Sequence, residues 1–157
     1  MTAEQRLIRL GVQLPPPPQP VAMYQPVVVV GGMAYVSGQG PTVDGRPVYT
    51  GLVGRDLDEE EAVRAARLCA VNALAALRAH LGTLDAVARI VKVLGFVASA
   101  PGFHDQPLVM NGASALLNDV FPDGHARSAI GTSSLPFNIP VEVELVAQLV
   151  DSEPQAP

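Results

Sequence analysis

The 157-residue sequence predicts an α+β fold: a single mixed β-sheet with two helices packed on one face, in the order β-β-α-β-α-β-β. Three observations predict it. Residues 58–82 carry helix signals at both ends around a small-residue stripe. Short Val-, Ile- and Leu-rich runs elsewhere are cut by Gly and Pro, as strands are. Residues 141–150 alternate strictly, with Val141, Val143, Leu145, Ala147 and Leu149 on one side and Glu142, Glu144, Val146, Gln148 and Val150 on the other.

Taken in order, Thr2 with Gln5 forms a capping-box pattern, and Leu7, Ile8 and Leu10 give a short amphipathic helix ending at Gly11. Pro15–Pro18 and Pro20 require an extended, polyproline-like link, so residues 1–20 read as an arm laid over the domain or a neighbour, or as a frayed tail. Val27–Val30, Gly31-Gly32 and Met33–Ser37 read as a hairpin, and Gly38–Gly54 as loop. Asp58 caps a helix that runs to Leu81 and stops at Gly82, with Glu59, Glu60 and Glu61 complementing its dipole. Arg64, Arg67 and Arg78 share a stripe within about 60° on the helical wheel. Ala62, Ala66, Cys69 and Ala73 lie opposite, where small residues allow close approach to a sheet. Cys69 is thus expected to be a buried packing residue, because nothing nearby in sequence lowers its pKa.

Arg89–Ala98 reads as a strand and Pro101-Gly102 breaks it. Asp105 is the expected cap of a second helix, with Pro107 in its first turn and Val109, Ala113, Leu116, Leu117 and Val120 as its apolar stripe. Pro122 ends that helix. Residues 126–134 and 141–150 read as strands around a turn at Leu135-Pro136-Phe137-Asn138. The domain boundaries are 1–20 for the arm, 21–151 for the folded domain and 152–157 for a polar tail.

Composition bounds the function. Apolar residues make up 48% and charged residues 16%, against a typical charged share of ~25%. That excludes a largely disordered chain and suggests surface covered by another subunit. The half-apolar outer face of the last strand supports a homo-oligomer with polar pockets at its seams. A net charge of −5 argues against a nucleic-acid binder. No apolar run is long enough to span a membrane, and the N-terminus lacks a secretory pattern. One cysteine makes neither an internal disulfide nor a Cys-based zinc site, which fits a reducing cytoplasm. His80, His104 and His125 lack metal-ligand spacing, so no metal is expected, and no phosphate loop or dinucleotide fingerprint implies a cofactor. His80, near the helix end, is expected to be packed, while His104 faces solvent or a cleft.

Four features can carry chemistry. Arg127 starts a strand among small residues, where its planar fork can hold a carboxylate, although the residues alone favour a structural salt bridge to Glu142 or Glu144. Glu142 and Glu144 share a strand face about 7 Å apart, which suits acid–base work on a water but also arises in any strand with one wet face. Tyr24 precedes the first strand as a site residue or a sheet-edge cap. Ser37 offers a hydroxyl beside Gly38, where backbone can approach a ligand closely.

Together these residues resemble the RidA/YjgF family of small trimeric proteins, many of them enamine/imine deaminases. The resemblance rests on Tyr24, on YVSGQGP from Tyr35, on Asn111 within VMNGASALLNDVF, on HARSAI from His125 and on VEVELVA from Val141. It runs from about residue 22 to 150 in the family's order and spacing. The stretches RLIRLGVQLPPPPQPVAMY and SAPGFHDQPLVMNGAS are similar to a branch with an added N-terminal arm. The resemblance implies a chorismate-mutase-like fold, a homotrimer and clefts between neighbours. It implies that Arg127 holds a substrate carboxylate, that Glu142 positions or activates the attacking water, and that Tyr24, Ser37 and Asn111 line the cleft. Glu144 is common in the family without being its usual catalytic carboxylate. Ala129 stands in the substrate pocket where many deaminases have Cys, and Gly131-Thr132-Ser133-Ser134 is smaller than usual, leaving room for a larger ligand.

The implied activity is hydrolysis of 2-imino or 2-enamino acids to 2-keto acids and ammonia, with a small carboxylate-bearing metabolite as ligand. Non-catalytic binding of small carboxylates is the alternative, and an isomerase using the same Arg and Glu fits the same residues. A ribonuclease is disfavoured by the charge and by the 4% aromatic content.

Overall fold

A computed structural model of the chain describes residues 1–17, 19 and 23–151. The polar tail at 152–157 and Pro18 and Pro20 of the proline link lie outside them. Helix α1 (Ala3–Arg9) begins at Thr2, whose hydroxyl accepts from Gln5 while the Gln5 side chain accepts from the Thr2 amide. Strands β1 (Val27–Val30) and β2 (Met33–Gln39) pair antiparallel through Gly31-Gly32, both at positive φ, which a side chain would resist. Helix α2 (Glu59–Leu81) has the reciprocal capping box of Asp58 and Glu61 and ends on Gly82 in the left-handed conformation. Strand β5 (Val87–Ala98), helix α3 (Gln106–Val120), β6 (Ala126–Thr132) and β7 (Val141–Leu149) follow.

The large sheet has strand order β1-β2-β7-β5-β6, antiparallel except for the parallel pair β5–β6. The alternation of β7 decides its faces: Val141, Val143, Leu145 and Ala147 are buried, whereas Glu144 and Gln148 are exposed. Helices α2 and α3 cover the first face. Ala62, Ala65, Ala66, Cys69, Ala70 and Ala73 bring α2 down onto the strands with no exposed surface, and Val109, Ala113, Leu116, Leu117 and Val120 do the same for α3. Each fully buried Leu or Val there contributes about 1.5–3 kcal/mol. The other face is open, with Val28, Val30, Tyr35 and Ile130 exposed beside Lys92 and Glu144.

The short N-terminal helix forms as its capping box implies, and three other expectations are corrected. Helix α1 buries Ala3 and Leu7 against the domain. Its Glu4 accepts from the Leu84 amide and pairs with Arg78 at 3.4 Å, and Arg6 donates to the Val120 carbonyl. The segment read as loop holds a short hairpin, β3 (Thr42–Val43) with β4 (Arg46–Pro47), turned by Asp44-Gly45 at positive φ. His80 is exposed, because the last turn of α2 carries Ala79 and His80 out of the packing layer. Asp105 precedes α3 at ψ 32° and makes no side-chain cap bond, so it is outside the extended conformation that a capping carboxylate needs.

Candidate functional site

Arg127 sits on β6, the edge strand, paired with the buried Val93 of β5, so its side chain leaves the sheet on the helix side beneath α3. It donates from Nη1 to Asn111 Oδ1 (2.9 Å) and to Ser114 Oγ (3.1 Å), and from Nη2 to the Pro107 carbonyl (3.2 Å). Asn111 and Ser114 are three residues apart on α3 and therefore present one face to the guanidinium. Neither expected glutamate pairs with Arg127: among the described residues the ion pairs are Arg55–Asp56 and Arg78–Glu4. Three of five guanidinium N–H groups are thus committed, leaving Nε–H and one Nη2–H, the edge that grips a carboxylate with two parallel bonds.

Behind Arg127, His125 Nε2 lies 2.9 Å from Ser114 Oγ. Burial, then the Arg127 charge, pushes the His125 pKa down, so the ring is neutral. In the Nδ1–H tautomer, Ser114 donates to His125 while accepting from Arg127. Ala129 follows two residues on, level with Gly95 and partly buried on the same side.

Glu142 faces the other way. It pairs with Phe96 across β5–β7, while its neighbours Val141 and Val143 point into the core. Opposite it, β2 bulges between Val36 and Gln39, and the bulge carries Ser37-Gly38. A Cβ on Gly38 would collide with the Glu142 carboxylate, lying 2.8 Å from its Cδ, so bare backbone is what admits this side chain. Burial, then the neighbouring Glu144, raises the Glu142 pKa above the ordinary carboxylate range. The Ser37 hydroxyl donates to the Gln25 carbonyl at 2.7 Å and the Ser37 amide to that of Pro26, pinning the Tyr24–Pro26 segment beside Glu142. Ser37 can offer a ligand only its lone pairs. Tyr24, Gly38, Phe137 and Glu142 share the wall of a cavity of about 590 Å³.

Cys69 is fully buried, its Sγ 3.4 Å from the Val141 carbonyl, and burial pushes its thiol pKa well up, as a packing residue requires. His104 is exposed. Among the described residues, no three His, Cys, Asp or Glu side chains gather as a metal site, and no helix is long and apolar enough to cross a membrane.

Within one chain the expected site residues therefore fall into two separate groups. Arg127, Asn111 and Ala129 lie on the helix side of β6. Glu142, Ser37 and Tyr24 lie on the open side, at least two strands, or roughly 10 Å, away. Sequence reasoning missed Ser114 and the task of His125, although both were legible as spacing: Ser114 is one turn beyond Asn111, and His125 shares a strand face with Arg127.

A mixed five-stranded sheet with helices on one face and polar groups at its edge and open side defines an α+β chain with candidate ligand-binding groups. A family model described as "YjgF/chorismate mutase-like, putative endoribonuclease" matches residues 4–149. The chain belongs to the YjgF/RidA family. It is 42% identical over 146 residues to Protein TCP17 of Trypanosoma cruzi, covering 91% of both chains. It is 31% identical over 136 residues to a 2-iminobutanoate/2-iminopropanoate deaminase of Dermatophagoides farinae, covering 86% of this chain and 92% of that one. A crystal structure of an Agrobacterium tumefaciens protein of unknown function superposes with a TM-score of 0.86 at 47% identity, covering 94% of this chain and 92% of that one.

Proposed function

We propose that the protein hydrolyses 2-imino and 2-enamino acids to 2-keto acids and ammonia, in clefts between the subunits of a homotrimer. The observation that carries this reading is the separation of two chemically complementary half-sites onto opposite faces of one sheet. A carboxylate fork on one copy meets a raised-pKa carboxylate on another only when the open, apolar face of the sheet is covered by a neighbour.

The chemistry needs few parts. The two uncommitted N–H groups of Arg127 hold the substrate carboxylate, and Asn111 and Ser114 keep the guanidinium from turning away. Glu142 takes a proton from a water as the oxygen attacks the imine carbon. That proton passes to the nitrogen to give a carbinolamine, and Glu142 then carries the carbinolamine hydroxyl proton to the same nitrogen as the C–N bond breaks, so that ammonia leaves and the carbonyl forms. Fixing the carboxylate beside one oriented water supplies proximity, and general-base help adds about 10²–10⁴-fold. The Dermatophagoides relative's name supports the reading. The uncommitted donors of Arg127 equally favour a second reading, binding of 2-keto acids without turnover.

The test is ammonia and keto-acid release from 2-aminoacrylate generated in situ by a lyase. Wild type accelerates release, while Arg127→Ala and Glu142→Gln do not. If the two variants are mixed and reassembled, each mixed trimer rebuilds one intact cleft, so about a quarter of wild-type activity returns. No acceleration by wild type, with keto-acid binding by calorimetry, selects the second reading. No recovery on mixing places Arg127 and Glu142 in one subunit's site and refutes the shared cleft.

A further inference from the structure

The half-site around Glu142 is larger than the reacting centre requires. A substrate such as 2-iminopropanoate has six non-hydrogen atoms, which at roughly 30 Å³ each, water's share of liquid volume, fill about a third of the cavity. The cavity measures about 590 Å³, within the ~300–1,000 Å³ range that encloses drug-sized ligands. Most of its remaining wall is apolar: Tyr24, Pro26, Pro47, Pro136, Phe137 and Ile139 supply rings and branched carbons, beside the uncharged polar side chains of Gln19, Gln39 and Thr42. Glu142 is the single charged side chain in the lining, and it sits where the proposed reaction needs it. Gln39 already donates to the Ser37 carbonyl and the Thr42 hydroxyl accepts from Asn72, so these two polar wall groups are engaged within the chain.

Phe137 makes the wall specific. It occupies the third position of the Leu135–Asn138 turn, closed by the Asn138 amide donating to the Leu135 carbonyl at 3.2 Å. Its φ of 58° is one at which such a turn ordinarily uses Gly. A bulky residue in that conformation is strained, and the ring is also 67% exposed. The strained turn holds the ring on the rim of the cavity, where it can close on a ligand lying against Glu142. Gly51 holds the turn in place, its amide donating to the Asn138 carbonyl at 2.8 Å.

We propose that this site selects 2-imino acids with bulky apolar side chains, aromatic or branched, which pack against Phe137 and the proline wall while the imine carbon lies by Glu142. The inference rests on the deaminase reading for its reaction and adds the substrate class. Such substrates arise where an amino-acid oxidase, passing two electrons to O2, acts on hydrophobic amino acids.

D-amino-acid oxidase with catalase converts D-alanine and D-phenylalanine to their imino acids, which are achiral at the reacting carbon. Loss of imine to semicarbazide trapping then reports hydrolysis by the protein. The phenyl substrate is expected to show a kcat/KM ten- to a hundredfold above the methyl one, the scale on which burying a benzyl group discriminates. Phe137→Gly keeps the turn, since Gly suits its φ, and should bring the ratio of the two efficiencies toward one. Equal efficiencies in wild type, or a preference for the methyl substrate, overturn the proposal and leave the deaminase reading standing. If wild type hydrolyses neither, calorimetry decides. Tighter binding of phenylpyruvate than of pyruvate, lost in Phe137→Gly, supports the apolar subsite and overturns the deaminase reading alone. Equal or absent binding overturns both.

Discussion

Arg127 can be tested quantitatively because its hydrogen bonds are counted. Asn111, Ser114 and Pro107 take three of its five donors, leaving two on one edge for a substrate carboxylate. A hydrogen bond to a charged group contributes roughly 1.5–3 kcal/mol, so a two-bond clamp is worth about 3–6 kcal/mol. Arg127→Ala should therefore lower kcat/KM on imino acids about 10²–10⁴-fold and weaken 2-keto-acid binding in calorimetry by a similar factor. Arg127→Lys keeps the charge but lacks the fork, and should recover about half of that loss on a logarithmic scale. The half-buried side chain is not a core residue, so both variants should retain the fold by circular dichroism. A folded Arg127→Ala protein that binds keto acids as tightly as wild type would refute the clamp and leave Arg127 a tie between β6 and α3.

Four further outcomes follow from the geometry. Burial raises the Glu142 pKa, so the folded state binds its proton more readily than the unfolded one. Its contribution to stability is then full below the ordinary carboxylate range and is lost as pH rises through the raised value. Glu142→Gln should raise Tm at neutral pH while abolishing turnover, and Glu144→Gln should move the acid limb of the activity profile to lower pH by removing a repelling charge. Gly38→Ala should cost at least tenfold in turnover, because the new methyl occupies the place of the Glu142 carboxylate; unchanged kinetics would show that the carboxylate has no fixed position. His125 has a lowered pKa, so its contribution to stability is present above the ordinary histidine range and is lost as pH falls through the lowered value. Once charged, it repels Arg127 across Ser114, and keto-acid affinity should weaken on acidification in wild type but not in His125→Gln.

Where local rules decide the structure, the chain could be read directly. Thr2 with Gln5 and Asp58 with Glu61 form the capping boxes their spacing implies, and the alternation of β7 sorts core from open face residue by residue. The misses have physical causes. Thr42–Val43 and Arg46–Pro47 are too short to show a period, and only Asp44-Gly45 marked a turn. A helical wheel puts His80 on the small-residue side of α2 but does not show that packing stops before the helix does. Ile8 and Leu10 are exposed in a helix whose docking depends on Ala3, Leu7 and Glu4, so its amphipathic pattern was weaker than its contacts.

The site was legible as a set of residues and illegible as an arrangement, for one reason. Alternation along a strand says which residues share a face of that strand, but the relation between strands depends on register. Parallel pairing sets Arg127 level with Val93, and antiparallel pairing sets Glu142 level with Phe96. Val93 and Phe96 are three residues apart on β5, an odd number, so the two partners must point to opposite faces. A slip of one residue in the β5–β7 ladder would have joined arginine and glutamate on one side of a single chain, but it would also have turned the Val and Leu set of β7 out of the core. The burial that stabilises the sheet therefore separates the two charged groups within one chain, and the proposed cleft requires a second copy to bring them together. On that proposal the apolar open face and the divided site are one feature of the fold: the surface that a neighbour would cover lies beside the carboxylate that would meet its arginine.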